Sequence, residues 1–301
     1  MTQPIDISEG SVTIAVCTFR RAALFDCLNS FHRLLGTHKF NLSVLVIDND
    51  ETDQLRDEVN NFSQDFPLPI TYIHASSKNI SIARNAALNA AETRWLLFID
   101  DDEVASPNWL DRIMADRQGA HAVIGTCETV YTDDYPDWLQ ACDFHSNRPK
   151  QDVRNAYTSN ALLDLNFVKK NGFQFRLDLG RTGGEDTVFF RQLHDAGGIM
   201  RACPEAIVKE PLVPGRATMD WVIRRKFRAG QTHGLLCQEF EPRAFKFLPL
   251  TAGLKMLISG SMWILTIPGT IRSRHWLARF YLHKGVLSYR MNQAILEEYG
   301  E

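Results

Sequence analysis

Residues 95–103 constrain the fold most, because five apolar residues, W-L-L-F-I, are followed directly by three aspartates and a glutamate. A short apolar run that ends so abruptly is typical of a buried strand in a parallel sheet. Open α/β sheets bind ligands at the carboxyl ends of their strands, which is where Asp100, Asp101 and Asp102 fall. Like charges this close are costly unless a cation lies among them. The motif therefore favours a metal site, with a solvated acidic loop as the alternative.

The segments before this motif alternate between strand and helix patterns. Apolar runs of strand length occupy residues 12–17, 42–47 and 70–73, and helices are predicted at 24–35, 54–62 and 82–91. Such alternation implies βαβ units, so we predict an α/β fold with a mostly parallel sheet flanked by helices. No G-x-G-x-x-G turn follows the first strand and no P-loop pattern is present, which argues against both of those nucleotide sites.

Polar residues follow three of the four predicted strands. Thr18 and Arg20 come after the first strand, Asp48 ends the second, and the aspartates follow the fourth. Because the ends of parallel strands share one edge of a sheet, these residues predict a nucleotide site there. The Asp48 carboxylate can accept hydrogen bonds from a base edge, and a helix N-cap is the ordinary alternative for this aspartate.

Composition favours a cytosolic protein with reduced thiols. The 301 residues are 45% hydrophobic, enough for one large core with or without a smaller appendage. The six cysteines are scattered, without a C-x-x-C pair or close histidines, so neither a zinc site nor a disulfide framework is expected. The first ten residues have neither the basic nor the apolar region of a signal peptide.

The C-terminal part differs in charge from the rest. Residues 242–296 contain eight lysines and arginines but no aspartate or glutamate. The apolar stretch 247–268 is broken by Pro249 and Gly253, and its uncharged part is too short to span a bilayer, which takes about 20 residues. We predict a domain over residues 1–240 and a helical, basic extension over 241–301 that associates with an anionic membrane surface. The alternative is a helical subdomain packed on the core; nucleic acid is not expected as a partner.

Five segments, taken in their order and spacing, carry a family resemblance. They are T-I-A-V-C-T-F-R-R at 13–21, V-L-V-I-D-N-D at 44–50, K-N-I-S-I-A-R-N-A-A-L at 78–88, W-L-L-F-I-D-D-D-E at 95–103 and G-G-E-D-T-V-F-F-R-Q-L at 183–193. Over residues 1–240 the chain resembles the inverting family-2 glycosyltransferases of the GT-A fold. Within that family it is most similar to bacterial enzymes of the succinoglycan type, which extend lipid-linked exopolysaccharide repeat units.

The resemblance implies a donor site in the first half of the chain. Asp48 would bind the nucleobase, commonly uracil, and Arg84 would meet a phosphate or ribose, assisted by the positive end of its helix. A surface arginine is the ordinary alternative for Arg84. By the same match Asp102 ligates Mg²⁺ or Mn²⁺ bridging the diphosphate. The donor residues implied are Thr18, Arg20, Asp48, Arg84, Asp100 and Asp101.

The resemblance also implies an acceptor side. Asp186 in G-G-E-D corresponds to the general base that takes the proton of the acceptor hydroxyl, with Glu185 as a further acceptor contact. Helix capping is the alternative for this acid pair. Many family members carry a histidine metal ligand near residue 210, so Glu210 is expected as its substitute.

These observations predict a metal-dependent inverting hexosyltransferase. The donor would be a nucleotide sugar, with a UDP-sugar such as UDP-glucose favoured by the resemblance, and the acceptor a polyprenyl-diphosphate-linked oligosaccharide. The enzyme would be cytoplasmic and peripheral on the inner membrane. Two alternatives stay open at this stage. One is a haloacid-dehalogenase-like phosphohydrolase that uses Asp100 as nucleophile, and the other is a catalytically silent nucleotide- or glycan-binding protein.

Overall fold

A computed structural model describes residues 10–20, 22–151 and 153–297. Eight strands in these ranges form one sheet, with strand order β3-β2-β1-β4-β7-β6-β8-β5. The strands are β1 (Ser11–Thr18), β2 (Asn41–Asp48), β3 (Ile70–His74), β4 (Trp95–Asp100), β5 (Val104–Ala105), β6 (Ala122–Val130), β7 (Asn160–Asp164) and β8 (Met200–Pro211).

The first half of the sheet is parallel, as predicted. β1 pairs with β2 on one side and with β4 on the other, and β2 pairs with β3. The register sets Thr18 beside Asp48 and Cys17 beside Asp100. The carboxyl ends of β1, β2 and β4 therefore lie together at one edge, which is where the polar residues follow the strands.

The second half of the sheet is mixed and was not predicted. β7 lies antiparallel between β4 and β6, β6 pairs in parallel with β8, and the short β5 closes the edge against β8. The β8 ladder continues the sheet as far as Glu210, opposite Thr129. Glu210 is thereby fixed by a strand and not by a loop.

Ten helices surround the sheet in the described ranges. They are α1 (Leu24–Ser30), α2 (Leu55–Ser63), α3 (Ile80–Ala90), α4 (Trp109–Ala115), α5 (Asp137–Cys142), α6 (Leu165–Asn171), α7 (Glu185–Asp195), α8 (Met219–Phe240), α9 (Pro242–Leu265) and α10 (Ile271–Arg290). The helix expected at 24–35 stops at Ser30, whose hydroxyl donates to the Cys27 carbonyl and accepts from the Ala105 amide. That side chain ties the helix end to β5, and a 3₁₀ turn follows.

Both faces of the sheet are buried. Ile14 and Val16 of β1 pack into one hydrophobic cluster, whereas Ala15 between them packs into the cluster on the other face. All three side chains are fully buried. Burial on both faces explains why the parallel strands are continuous apolar runs with no polar alternation.

Helices α8, α9 and α10 form a bundle beside the sheet. A Cβ at Gly285 of α10 would overlap the Phe227 carbonyl oxygen of α8, and a Cβ at Gly230 would overlap the Leu282 carbonyl oxygen. Glycines therefore allow the two backbones to approach closely. Of the described helices, α9 alone has the length and apolar composition to cross a membrane. The helical extension expected from the sequence is present.

Replacing Gly285 with alanine tests the close contact between α8 and α10. The added methyl would meet backbone atoms, which cannot move aside as a side chain can, so we expect a loss of about 1–3 kcal/mol of stability. Gly253→Ala in α9 is the matched control, because a Cβ there has open space and should add about 1 kcal/mol of helix propensity. Thermal unfolding measures both, and equal stability of the two variants would contradict the packing.

Candidate active site

A pocket of about 510 Å³ opens at the carboxyl ends of β1, β2 and β4. The start of α7, residues from 145–147 and 155–159 and one face of α8 form its other walls. Most of the residues singled out from the sequence line it, namely Thr18, Arg84, Asp100, Asp101, Asp102, Glu185, Asp186 and Glu210. Residues more than 160 positions apart in sequence are thus brought to one cavity.

Two of the four consecutive carboxyl groups, Asp101 and Glu103, are deeply buried and hydrogen-bonded. Asp101 is 4% exposed and accepts a 2.7 Å hydrogen bond from the Thr18 hydroxyl. Glu103 is 1% exposed, and its Oε2 accepts the Asp100 amide at 2.8 Å. Burial raises the pKa of Glu103 well above its ordinary value, and the nearby Asp100 raises it further. These two contacts hold the turn after β4 in one conformation.

Asp100 and Asp102 lie at the floor of the pocket. Enclosure in the site raises the pKa of Asp100 to about 7; Arg84 opposes this shift, and the neighbouring Asp102 and Asp101 reinforce it. A carboxylate with a pKa raised in this way is stabilised by any cation that binds beside it. The electrostatics thus favour cation binding at Asp100 and Asp102.

Arg84 is a buried cation between the two sides of the pocket. Its side chain is 7% exposed, its Nη1 pairs with Oε1 of Glu185, and its Nη2 lies 4.0 Å from Oδ1 of Asp100. The guanidinium also lies over the Phe175 ring, 5.8 Å from the centroid. Arg84 therefore links the turn after β4 to the start of α7, and its contact with a donor phosphate stays a prediction.

The glycine turn before α7 presents the acid pair to the pocket. Gly183 and Gly184 have φ values of +76° and +93°, a left-handed conformation that favours glycine. Burial raises the pKa of Glu185 to about 7, with Asp186 adding to the shift and Arg84 opposing it. Oδ1 of Asp186 accepts the amide and hydroxyl of Thr187, at 2.6 and 3.2 Å.

Glu210 reaches the pocket but already has partners. Its Oε1 accepts Nη1 of Arg216 at 2.5 Å, and the Cys127 thiol lies 3.7 Å from its Oε2. Across the described residues, no group of three or more His, Cys, Asp or Glu side chains is arranged to hold a metal ion. Glu210 would therefore have to exchange its arginine for a metal, and its role as a ligand stays a prediction.

Two of the predicted donor residues do not line the pocket. Asp48 is 1% exposed, and its carboxylate accepts the Tyr72 hydroxyl at 2.7 Å and the Asp50 amide at 2.9 Å. Arg20 pairs with Asp50 at 2.6 Å while its own side chain is 56% exposed. Direct contacts of Asp48 and Arg20 with a nucleotide stay predictions.

One face of α8 forms a wall of the pocket that lies outside the set of predicted site residues. Trp221, Arg225, Arg228 and Leu236 all line the pocket. Their spacings of three, four and eight residues put them on one helical face, a signal that was available in the basic stretch of the sequence. Arg228 donates from Nη1 to the Thr182 carbonyl at 2.8 Å, directly before the glycine turn. Asn49, Lys78 and Phe19 on the β1–β2 side were also missed.

The comparisons with known proteins agree with this arrangement. The model of the family "Glycosyl transferase family 2" matches residues 13–170. The chain belongs to this family. The succinoglycan biosynthesis protein ExoM of Rhizobium meliloti (strain 1021) is 38% identical over 295 residues, which cover 96% of each chain. The glucosyl-dolichyl phosphate glucuronosyltransferase of Haloferax volcanii is 24% identical over 238 residues, covering 73% of this chain and 75% of that protein.

Solved glycosyltransferase structures share the fold. The mannosyltransferase PcManGT from Pyrobaculum calidifontis, in complex with GDP-Man and Mn²⁺, matches with a TM-score of 0.63 at 18% identity, covering 94% of this chain and 88% of that one. Residues 1–349 of S. aureus TarS with UDP-GlcNAc match with a TM-score of 0.54 at 15% identity, covering 97% and 99%. The GT-A-type fold expected from the sequence is confirmed.

Family membership makes the chain a glycosyltransferase and decides against both alternatives raised from the sequence. The phosphohydrolase hypothesis required the aspartate motif on the first strand of the sheet, whereas β4 is the fourth strand along the chain. The six cysteines are free.

Replacing Arg84 tests the buried pair with Glu185. The folded-state pKa of Glu185, about 7, lies above that of an unfolded glutamate, so this residue favours folding at low pH and loses that contribution as the pH rises towards 7. Arg84→Met leaves the ionised carboxylate without its cation, which should cost about 3 kcal/mol at pH 8 and clearly less at pH 5.

Urea unfolding at the two pH values measures this difference. The double variant Arg84→Met with Glu185→Gln is the control, because it removes the buried Glu185 charge and should reduce the pH dependence to the part that comes from Asp100. An equal loss of stability at pH 5 and pH 8 in the single variant would contradict the pairing.

Proposed function

We propose that this glycosyltransferase is a metal-dependent, inverting hexosyltransferase of exopolysaccharide assembly. It would move a sugar from a UDP-sugar, such as UDP-glucose, to a hydroxyl of a polyprenyl-diphosphate-linked oligosaccharide. One observation carries the proposal: a single cavity contains the carboxylates Asp100 and Asp102 together with the glycine turn that presents Asp186. The cavity volume is in the range of small-ligand sites.

The donor side has the chemistry that a hard divalent cation requires. Asp100 and Asp102 supply oxygen ligands, which suit Mg²⁺ or Mn²⁺, and the raised pKa of Asp100 favours a nearby positive charge. When bound, such a cation neutralises charge on the departing nucleoside diphosphate. Glu210 would join these ligands only by releasing Arg216.

The acceptor side has the chemistry of a general base. Asp186 would take the proton of the acceptor hydroxyl as the oxygen forms its bond to the anomeric carbon, while the bond from that carbon to the diphosphate oxygen breaks. The electron pair leaves with the diphosphate, and attack from the opposite face inverts the configuration. Thr187 fixes one oxygen of the Asp186 carboxylate by two hydrogen bonds, which supports a defined orientation for the other.

Similar proteins support the substrate class. PcManGT was solved with GDP-Man and Mn²⁺, TarS with UDP-GlcNAc, and ExoM is a succinoglycan biosynthesis protein. A nucleotide sugar as donor fits the first two, and an exopolysaccharide as product fits the third. We assign uridine as the base from the sequence resemblance.

Helix α9 supports attachment to the cytoplasmic face of the inner membrane. An apolar stripe of α9, with each member at least 49% exposed, follows helical spacings along one side. Its members are Phe247, Leu250, Leu254, Leu257, Ile258, Ile264 and Leu265. A continuous exposed apolar face of this kind is typical of an interaction surface. Because no acidic residue occurs in 242–296, the charge of this segment also suits an anionic leaflet.

Removing the Asp102 carboxylate tests the metal and the donor together. Asp102→Ala should weaken Mn²⁺-dependent binding of UDP by at least about tenfold, because the diphosphate would face the remaining carboxylates without a bridging cation. Isothermal calorimetry measures this, with the exposed Asp57→Ala of α2 as the control. Unchanged Mn²⁺–UDP affinity in Asp102→Ala would remove the metal assignment.

Replacing Asp186 tests the base. Asp186→Asn should keep donor affinity and lower kcat by at least about 10²-fold, because the amide cannot take the acceptor proton. Asp195→Asn, in the last turn of the same helix, is the matched control and should retain activity. A near wild-type rate for Asp186→Asn would move the base elsewhere, with Glu185 as the next candidate.

A further inference from the structure

Four basic side chains meet where the three C-terminal helices pack together. We call this group the basic junction; it consists of His233 of α8, Lys255 of α9, and Arg279 and His283 of α10. A small hydrophobic cluster of Cys237, Leu248, Ala252 and Val286 joins the three helices. This contact fixes how the helices are aligned along their axes, and it places the four basic residues at a similar height in the bundle. His233, Lys255 and His283 each lie about one turn from that cluster along their own helices.

The antiparallel arrangement of α9 and α10 extends this register. Ala252 packs with Val286, and eight residues further along α9 a Cβ at Gly260 would lie 3.3 Å from the Phe280 ring. Lys255 and His283 fall between these two contacts, and Arg279 follows one turn beyond His283. The packing therefore brings basic residues of two helices to the same level of the bundle.

The charges around the basic junction favour binding of an anion, because the pKa values of its two histidines are lowered by burial and by neighbouring cationic groups. Burial lowers the pKa of His283, and Lys255, His233 and Arg279 lower it further. Burial also lowers the pKa of His233; Glu241 opposes the shift and Lys255 adds to it. No ion pair involving Lys255 or His283 occurs among the described residues. A bound anion would raise the pKa of both histidines again, so that they would carry protons and donate to it.

The basic junction adjoins the catalytic pocket. His233 and Leu236 line the pocket at the end of the α8 face that also carries Arg228. Arg228 is bonded to Thr182 beside the glycine turn, and His233 lies five residues further along α8, about 8 Å by helical rise. A ligand that extends from Asp186 along this face reaches the basic junction.

The basic junction also adjoins the apolar stripe of α9. Lys255 is exposed, and Leu254, Leu257 and Ile258 beside it are 58%, 66% and 49% exposed. If the stripe lies in a leaflet, Lys255 lies at headgroup depth, where phosphates are found. A ligand with an apolar chain, a phosphate and a sugar would meet the stripe, the basic junction and the pocket in that order.

We propose that the basic junction binds the phosphate group that joins the lipid of the acceptor to its sugar chain. This assignment rests on the proposed function, because it takes the acceptor to be lipid-linked. The phosphate would accept charge-assisted hydrogen bonds from Lys255, Arg279 and the two histidines. Its role is to hold the acceptor at a fixed distance from Asp186, so that the terminal sugar hydroxyl reaches the base.

Vesicle binding by the full chain tests the proposal. The probes are phosphatidylcholine vesicles that carry either polyprenyl phosphate or phosphatidylglycerol at matched surface charge. The wild-type protein should prefer the polyprenyl phosphate vesicles, and Lys255→Gln should reduce that preference by about tenfold, the value of one charge-assisted hydrogen bond. Lys246→Gln is the matched control, since Lys246 is also exposed on α9 but lies more than two turns away. It should keep the preference.

His283→Gln provides a second variant on a different helix and should lower the preference in the same direction. Equal losses in Lys255→Gln and Lys246→Gln, or no preference in the wild-type protein, would overturn the proposal in favour of general surface attraction. Equal binding of free inorganic phosphate by the wild-type protein and Lys255→Gln, measured by calorimetry, together with no preference for polyprenyl phosphate vesicles, would overturn the lipid assignment.

Donor binding separates this proposal from the proposed function. Lys255→Gln should retain wild-type affinity for Mn²⁺–UDP, since the basic junction lies away from Asp100 and Asp102. If the wild-type protein fails to bind any nucleotide sugar, the proposed function fails, whereas the vesicle result still decides whether the basic junction binds phosphate.

Discussion

Four consecutive carboxyl groups at the end of β4 are the constraint around which the site is built. Asp101 accepts the Thr18 hydroxyl and Oε2 of the buried Glu103 accepts the Asp100 amide, so these two carboxyl groups fix the turn. The negative charge that remains at Asp100 is faced by the buried guanidinium of Arg84, which also pairs with Glu185. One side chain thereby connects the donor side of the pocket with the acceptor side, and a shift on one side changes the electrostatics of the other.

The parallel half of the sheet was predictable because each of its strands can be recognised from neighbouring residues in the sequence. Each strand from β1 to β4 is an apolar run buried on both faces, and the polar residues that follow it mark its end. β7 was not predictable in the same way. The five residues Asn160–Asp164 become a strand because they pair antiparallel with β4, some 60 positions earlier in sequence, and with β6. Likewise, α1 ends early because of a contact between Ser30 and β5 that no local pattern records.

The sequence predicted which strand ends form the site, but it did not predict the direction of each side chain there. Strand-end reasoning predicted Thr18 and Asp102 at one edge of the sheet, and both line the pocket, as does Asp186, which the family resemblance had supplied. It did not foresee that Asp48, although at the end of β2, would turn onto Tyr72 of the neighbouring strand. Nor did it foresee that Arg84 would be buried, since a helical arginine is exposed unless a distant carboxylate such as Glu185 faces it. Both outcomes depend on partners that only the folded chain brings close.

Helix α8 connects the pocket to the C-terminal helices, because it has two functional faces. On one face, Trp221 and Arg228 line the pocket. On the other face, Gly230 and Gly234 have no side chains, so α10 can pack closely against it. α8 precedes the domain boundary expected near residue 240, yet its packing joins it to the helices beyond that boundary. Removing residues after 240 would therefore uncover one face of α8 and disturb the pocket wall as well as the membrane surface. For this reason only point substitutions, such as those on α9, can separate membrane attachment from catalysis.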